Sequence, residues 1–172
     1  MSIFHRIKLR KQLKDHANRP LNIFEILSRS GKTNVVVDAY TYFMRQSNWE
    51  IDDRFNEKIR IFLLCVLFDG EVANGGISQF FANSSGDHAV ETADALHAIG
   101  AFESEALLRS SFCLFPNAVV PEDRGERNDL MDQIDEAKFD EIDRRVWEGN
   151  IEKFCYMYLT ENRASFETSL DS

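Results

Sequence analysis

Proline and glycine are scarce in this sequence, with three Pro and eight Gly among 172 residues. A many-stranded β fold needs frequent tight turns, and those turns depend largely on these two residue types. Phe is abundant by contrast, with 14 copies, and aromatic side chains in this number need a sizeable core. The composition therefore predicts an all-α fold, a single compact multi-helix domain over residues 1–172.

Cysteine is also rare, and the three cysteines, Cys65, Cys113 and Cys155, lie 48 and 42 positions apart. This spacing within apolar surroundings matches neither a disulfide framework nor a metal-binding pair, so we expect reduced core residues. His88 and His97 are nine residues apart, so on one helix they point to opposite faces. We expect neither a bound metal nor another cofactor.

No apolar signal region follows the basic first residues, and the apolar octet Ile61–Phe68 is far shorter than a membrane span. We therefore expect a cytoplasmic protein without a membrane partner. Apolar residues at helical spacing alternate with Lys and Arg over residues 1–19, which predicts a basic amphipathic helix or arm. The tripeptide Gly31-Lys32-Thr33 lacks the earlier glycine of a phosphate-binding loop, because Ile26 occupies that position.

The octet Ile61–Phe68 contains no polar position, so it cannot keep a face in water and must be surrounded by the rest of the fold. We expect it on an apolar central helix. A polar segment with paired glycines follows, which indicates a turn. There Asn74 would cap the next helix, and Gly75 and Gly76 would permit close approach of neighbouring backbone.

Two interpretations of this polar segment remain open. Its side chains either satisfy backbone groups at a helical corner or line a catalytic pocket, for which no nucleophile or base partner is evident. We favour the structural interpretation and expect no enzyme. The residues assigned to this fold signature are Glu71, Asn74, Gly75, Gly76, Gln79, Asn83 and Gly86.

The run Asp69–Asp87, continued at weaker positions to Ala101, resembles the signature of a bacterial family typified by a DNA-mimic protein. The pattern sets a glutamate, an asparagine, a double glycine, a glutamine, paired aromatics and an asparagine-serine-x-glycine at fixed spacing. In that family the characterised member has an acidic surface that resembles DNA, forms a homodimer and sequesters a helix-turn-helix transcription factor. The resemblance implies these properties for this chain, without direct DNA binding.

The charge of the chain is unevenly distributed. Residues 1–33 carry a balance of +6 and residues 34–172 a balance of −15, which gives the total of −9. Within residues 124–149, which form one long helix or two, six acids follow at steps of three or four, a spacing that keeps side chains on one helix face. They are Glu126, Asp129, Asp132, Glu136, Asp140 and Asp143.

A rigid row of carboxylates presents the closely spaced negative charge that DNA-binding proteins recognise in phosphates. Taken alone, this row is typical of a solvated helix face. With the family resemblance, the leading hypothesis is a DNA mimic that occupies the DNA-binding face of a helix-turn-helix transcription factor and blocks its operator binding. The alternative is an immunity or antitoxin-like inhibitor that covers the basic site of a toxin nuclease, and an enzyme ranks third.

Overall fold

The computed structural model describes residues 20–29, 31–51, 53–146 and 149–167, and within them the secondary structure is helical without strands. The all-α prediction is confirmed. The predicted basic helix or arm at residues 1–19 lies outside the described residues. In chain order the α-helices are α1 (Ile23–Leu27), α2 (Lys32–Gln46), α3 (Glu57–Ala82), α4 (Ala89–Ala98), α5 (Phe102–Ser111), α6 (Arg124–Met131), α7 (Glu136–Val146), α8 (Ile151–Glu161) and α9 (Arg163–Glu167).

Helix α3 is the long apolar centre of the fold, as the octet predicted. It begins after Asn56, whose side-chain Oδ1 accepts a hydrogen bond from the Ile59 N–H at 3.1 Å and so caps the helix. Phe62, Leu63, Leu64 and Phe68 of the octet are buried, and burying each of them contributes roughly 1.5–3 kcal/mol, whereas Ile61, Val66 and Leu67 are half-buried. Helices α2, α4, α6, α7, α8 and α9 all pack against α3.

The octet extends into a much longer helix than its own length suggested. Helix α3 has 26 residues, and an 18-residue window of it has a mean hydropathy of 1.5, so length and composition alone would allow it to cross a membrane. The core helices of soluble proteins meet the same two criteria, and 44% of this window is buried inside the fold. This feature is therefore weak evidence for a membrane span.

The turn predicted after the octet is a kink inside α3. The helix continues to Ala82, and only Gly75 and Gly76 depart from helical backbone angles. It continues because Phe80 and Phe81, one turn beyond the kink, are buried and hold the second half of the helix in the core. The chain turns only afterwards, in the 3₁₀ helix Ser84–His88.

Two further expectations differ in detail from the structure. Cys65 and Cys155 are buried as expected, but Cys113 is exposed, because it lies in the short 3₁₀ helix Phe112–Leu114 at the end of α5. The segment expected to close the core as one final helix is divided at Asn162 into α8 and α9. Phe166 on α9 is fully buried and contacts the ring of Phe62 at a centroid distance of 5.4 Å.

Candidate functional site

The kink in α3 creates a second helix start within the core helix. Gly76 has φ +82° and ψ −176°, so the N–H of Ile77 is not bound within the helix in the ordinary way. The Asp143 carboxylate on α7 accepts a hydrogen bond from this N–H through Oδ1 at 2.6 Å. A carboxylate at a helix start is favourable because the free N–H groups and the helix dipole both attract negative charge.

Only glycine fits at position 76. Its φ of +82° lies in the left-handed region, which side-chain-bearing residues avoid. A Cβ atom added there would lie 1.9 Å from Oδ2 of Asp143, far inside van der Waals contact. The prediction that Asn74 caps the next helix is wrong, because Asp143 performs that role from a distant part of the chain.

The polar residues of the fold signature bind one another around Glu71. The amides of Gln79 and Asn83 donate to Glu71 Oε2 at 2.5 and 2.9 Å, and the Ser85 hydroxyl, which lies 3.1 Å from Phe80 O, is also 3.4 Å from Oε1. Asn74 Nδ2 donates to Gln79 Oε1 at 2.9 Å. Burial and the negative charge of Glu71 together raise the pKa of the nearby Tyr40 to about 12. Because Glu71 already accepts hydrogen bonds from within the protein, the structural interpretation of the signature is favoured over a catalytic pocket.

Arg127 on α6 is fully buried, and its guanidinium uses all five N–H donors. Its partners are Phe81 O at 2.5 Å, Asn83 O at 2.9 Å, Pro121 O at 2.7 Å, Glu122 O at 3.0 Å and Asp87 Oδ1 at 2.6 Å. Most of these acceptors are carbonyl groups that a helix end or loop leaves unpaired. Arg127 thus fastens α6 to the end of α3, and Asp87 compensates its charge.

Helix α6 has a second attachment beside this one. Arg124 Nε donates to Ala82 O at 2.8 Å, so two arginines of α6 bind carbonyl oxygens at the carboxyl end of α3. That end of a helix carries partial negative charge, which favours cations there. The two acid-bearing helices are therefore attached to the same half of α3, α6 through arginines and α7 through Asp143.

The predicted row of acids is divided between two helices. Helix α6 ends at Met131 and α7 begins at Glu136, with a turn between them, so the six acids do not share one continuous helix face. Asp143 is half-buried against the kink of α3, and its assignment to the exposed row is corrected. The side chain of Glu136 lies outside what the structure describes.

The remaining acids of the row are exposed and belong to a larger set. We call this set the acidic surface, the exposed carboxylates between residues 122 and 141: Glu122, Asp123, Glu126, Asp129, Asp132, Asp135, Asp140 and Glu141. Arg124 and Lys138 are the exposed cations among the described side chains of this stretch. Arg127 lies in the same stretch but contributes no surface charge because it is buried.

Several acids elsewhere on the fold are paired with arginines. Hydrogen bonds from Arg60 hold the pKa of Glu91 below its usual range, and those from Arg109 do the same for Glu105. In the acidic surface the pattern differs: within the described part of the chain, Glu126, Asp129 and Asp132 form no ion pair. Their negative charge faces solvent.

The residues that sequence reasoning missed are Arg127 and the capping role of Asp143. Each contacts a segment far away in the sequence, Arg127 across 46 residues to Phe81 and Asp143 across 66 residues to Ile77. Nothing in the local pattern around either residue distinguishes it from neighbouring surface charges. The only available signal was the glycine at position 76, where a close approach of neighbouring backbone was expected without a named partner.

The fold and this region define an all-α protein that attaches two acid-bearing helices to the kinked half of its central helix. The chain belongs to the family of DMP19-like proteins, whose family model matches residues 53–162 and so covers more than half of it. This family is of the DNA-mimic type. Searches of curated proteins and of solved structures found no match.

Proposed function

We propose that this protein is a DNA mimic that binds the DNA-binding face of a helix-turn-helix transcription factor and blocks its operator binding. The observation that carries the proposal is the acidic surface, in which eight exposed carboxylates stand against two exposed cations among the described side chains of residues 122–141. Family membership directs the interpretation towards mimicry rather than mere solubility.

The physical basis is competition for the same positive charges. A helix-turn-helix regulator places Lys and Arg along the DNA backbone, and neutralising a line of phosphates supplies much of its affinity. Carboxylates fixed on helices present such a line without the entropy cost of ordering a flexible chain. The regulator could then not bind this protein and its operator at the same time, because both would occupy the same surface.

A homodimer is part of the proposal. Helix-turn-helix regulators commonly bind two half-sites as symmetric dimers, so two acidic surfaces related by a two-fold axis would cover both DNA-binding faces. Sedimentation equilibrium of the purified protein tests this part. A mass independent of concentration and equal to that of one chain would contradict it.

Capture of partners from a lysate of the source cells, followed by mass spectrometry, tests the central proposal. We expect a helix-turn-helix regulator, released by rising salt and displaced by duplex DNA that carries its operator. Recovery of a nuclease instead would support the inhibitor alternative. A mobility shift of bare duplex by the purified protein alone would contradict mimicry, because a mimic repels DNA.

A further inference from the structure

Helices α6 and α7 are attached to α3 through opposite kinds of backbone group, those of a helix end and those of a helix start. At the end of α3, carbonyl oxygens bind the arginines of α6, whereas at the kink the N–H of Ile77 binds the carboxylate of Asp143 on α7. A kink in a buried helix normally leaves unpaired backbone groups, which are costly. Here the Ile77 N–H is such a group, and it binds the acid-bearing helix α7 through Asp143.

We propose that Asp143 is a positioning residue, which fixes α7 to the kink of α3 and thereby sets where the acids of α7 stand in the acidic surface. The kink at Gly75 and Gly76 provides the N–H that Asp143 needs, and the missing side chain at position 76 provides the space. The inference rests on the proposed function only because it names the acidic surface as the region that Asp143 positions.

The packing of α7 supports this role. Phe139 is 4% exposed and faces the core, while Asp140 and Glu141 on the same helix are exposed. Phe139 and the half-buried Ile142 pack α7 against the core, but apolar contacts are not directional and leave a short helix free to slide or rotate. A hydrogen bond from a fixed backbone N–H to a charged acceptor is directional, and it lies one turn beyond Phe139.

The test compares Asp143→Ala with Glu141→Ala, which removes the same charge from an exposed position of the same helix. Backbone hydrogen exchange is measured residue by residue by NMR on the full chain. We expect the amides of Ile77 and of residues 139–146 to exchange on the order of tenfold faster in Asp143→Ala, because a helix cap contributes about that factor. Exchange in α4 and α8 should stay unchanged, and Glu141→Ala should match the natural chain.

Asp143→Asn and Glu141→Gln form a second, milder pair. The amide keeps an acceptor oxygen for the Ile77 N–H but loses its charge, so exchange in α7 should lie between the natural chain and Asp143→Ala. This graded rescue separates positioning from general loss of stability, which would speed exchange throughout. If Asp143→Ala does not fold, the milder pair decides alone.

The inference would be overturned if backbone exchange in α7 were equal in Asp143→Ala and Glu141→Ala, and equal in Asp143→Asn and Glu141→Gln. Because exchange is measured without any partner, that result would leave the proposed mimicry untouched. A lysate capture without a helix-turn-helix regulator would have the opposite effect, since it removes the proposed function and leaves the attachment of α7 to the kink intact.

Discussion

Gly86 lies directly against the buried guanidinium of Arg127. A Cβ atom at position 86 would be 2.7 Å from Arg127 Nε and 2.8 Å from the carbonyl oxygen of Phe81, to which that Nε donates. The two groups that would clash are thus partners in one hydrogen bond. The missing side chain at position 86 lets α6 approach the end of α3 closely enough to form it.

Gly86→Ala should therefore lower the free energy of unfolding by about 1–3 kcal/mol, the usual cost of inserting a methyl group into a packed site. Urea unfolding followed by circular dichroism measures the change. Gly70→Ala is the matched control, because a Cβ at Gly70 meets nothing within 4 Å and alanine is the better helix former. We expect that variant to gain up to roughly 1 kcal/mol, and equal losses in both variants would contradict the close approach.

Arg127→Met should destabilise the fold by about 3–5 kcal/mol, because four carbonyl oxygens at the end of α3 and in the loop before α6 lose their hydrogen-bond donor. Asp87 loses its cation, and the carbonyl oxygens around Phe81 lose their donors. Thermal unfolding compared with Arg124→Met provides the measurement, since Arg124 is exposed and makes one of the bonds to α3. A loss below about 1 kcal/mol for Arg127→Met would show that its hydrogen bonds contribute little.

Much of the fold followed from the sequence because apolar periodicity reports burial directly. The octet Ile61–Phe68 was predicted to lie inside, and five of its eight residues are buried while Ile61, Val66 and Leu67 are half-buried. The prediction of a turn at Gly75 and Gly76 was wrong. Asn-Gly-Gly is locally typical of a turn, but burial of Phe80 and Phe81 in the core lets the helix continue past the kink. Tertiary packing overrides local preference in such cases.

The candidate site was less predictable for a related reason. Spacing identified a row of acids but could not distinguish Asp143, which turns to the core, from Asp132, which faces solvent. Arg127 has the sequence surroundings of an ordinary surface base in an acidic region, although its side chain is fully buried. Charged residues are usually exposed, so the few buried ones carry no local signal. Their roles emerge only from the partners that distant segments supply.

Asp69 should make stability depend on pH. Burial, followed by the charge of Glu152 on α8, raises the pKa of Asp69 to about 7. An unfolded aspartate has a pKa near 3.9, so between about pH 4 and pH 7 the folded state binds the extra proton and stability falls as pH rises. Asp69→Asn removes this pH-dependent loss of stability. We expect the variant to match the natural chain near pH 4 and to exceed it by up to about 4 kcal/mol at pH 8, since each pKa unit between the unfolded and folded values corresponds to about 1.36 kcal/mol, measured by urea unfolding.

Glu152→Gln provides the control for that pH dependence. Removing the neighbouring negative charge removes the second cause of the raised pKa, while burial, the first cause, remains. The decline in stability between about pH 4 and pH 7 should therefore be smaller than in the natural chain but not absent. Parallel stability profiles for Asp69→Asn and the natural chain would contradict the assignment.

Neutralising the acids of α6 and the turn after it should weaken partner capture without unfolding the chain. The triple variant Glu126→Gln, Asp129→Asn, Asp132→Asn removes three exposed charges of the acidic surface, and affinity for the captured regulator should fall on the order of tenfold, with a shallower dependence on salt. The control changes the same number of exposed acids on other elements: Glu25→Gln, Glu50→Gln and Glu161→Gln. Both proteins have the same net charge, so titration of the regulator at two salt concentrations separates a local surface from overall charge. Equal weakening in both would mean that the regulator responds to net charge, and the acidic surface would lose its assigned role.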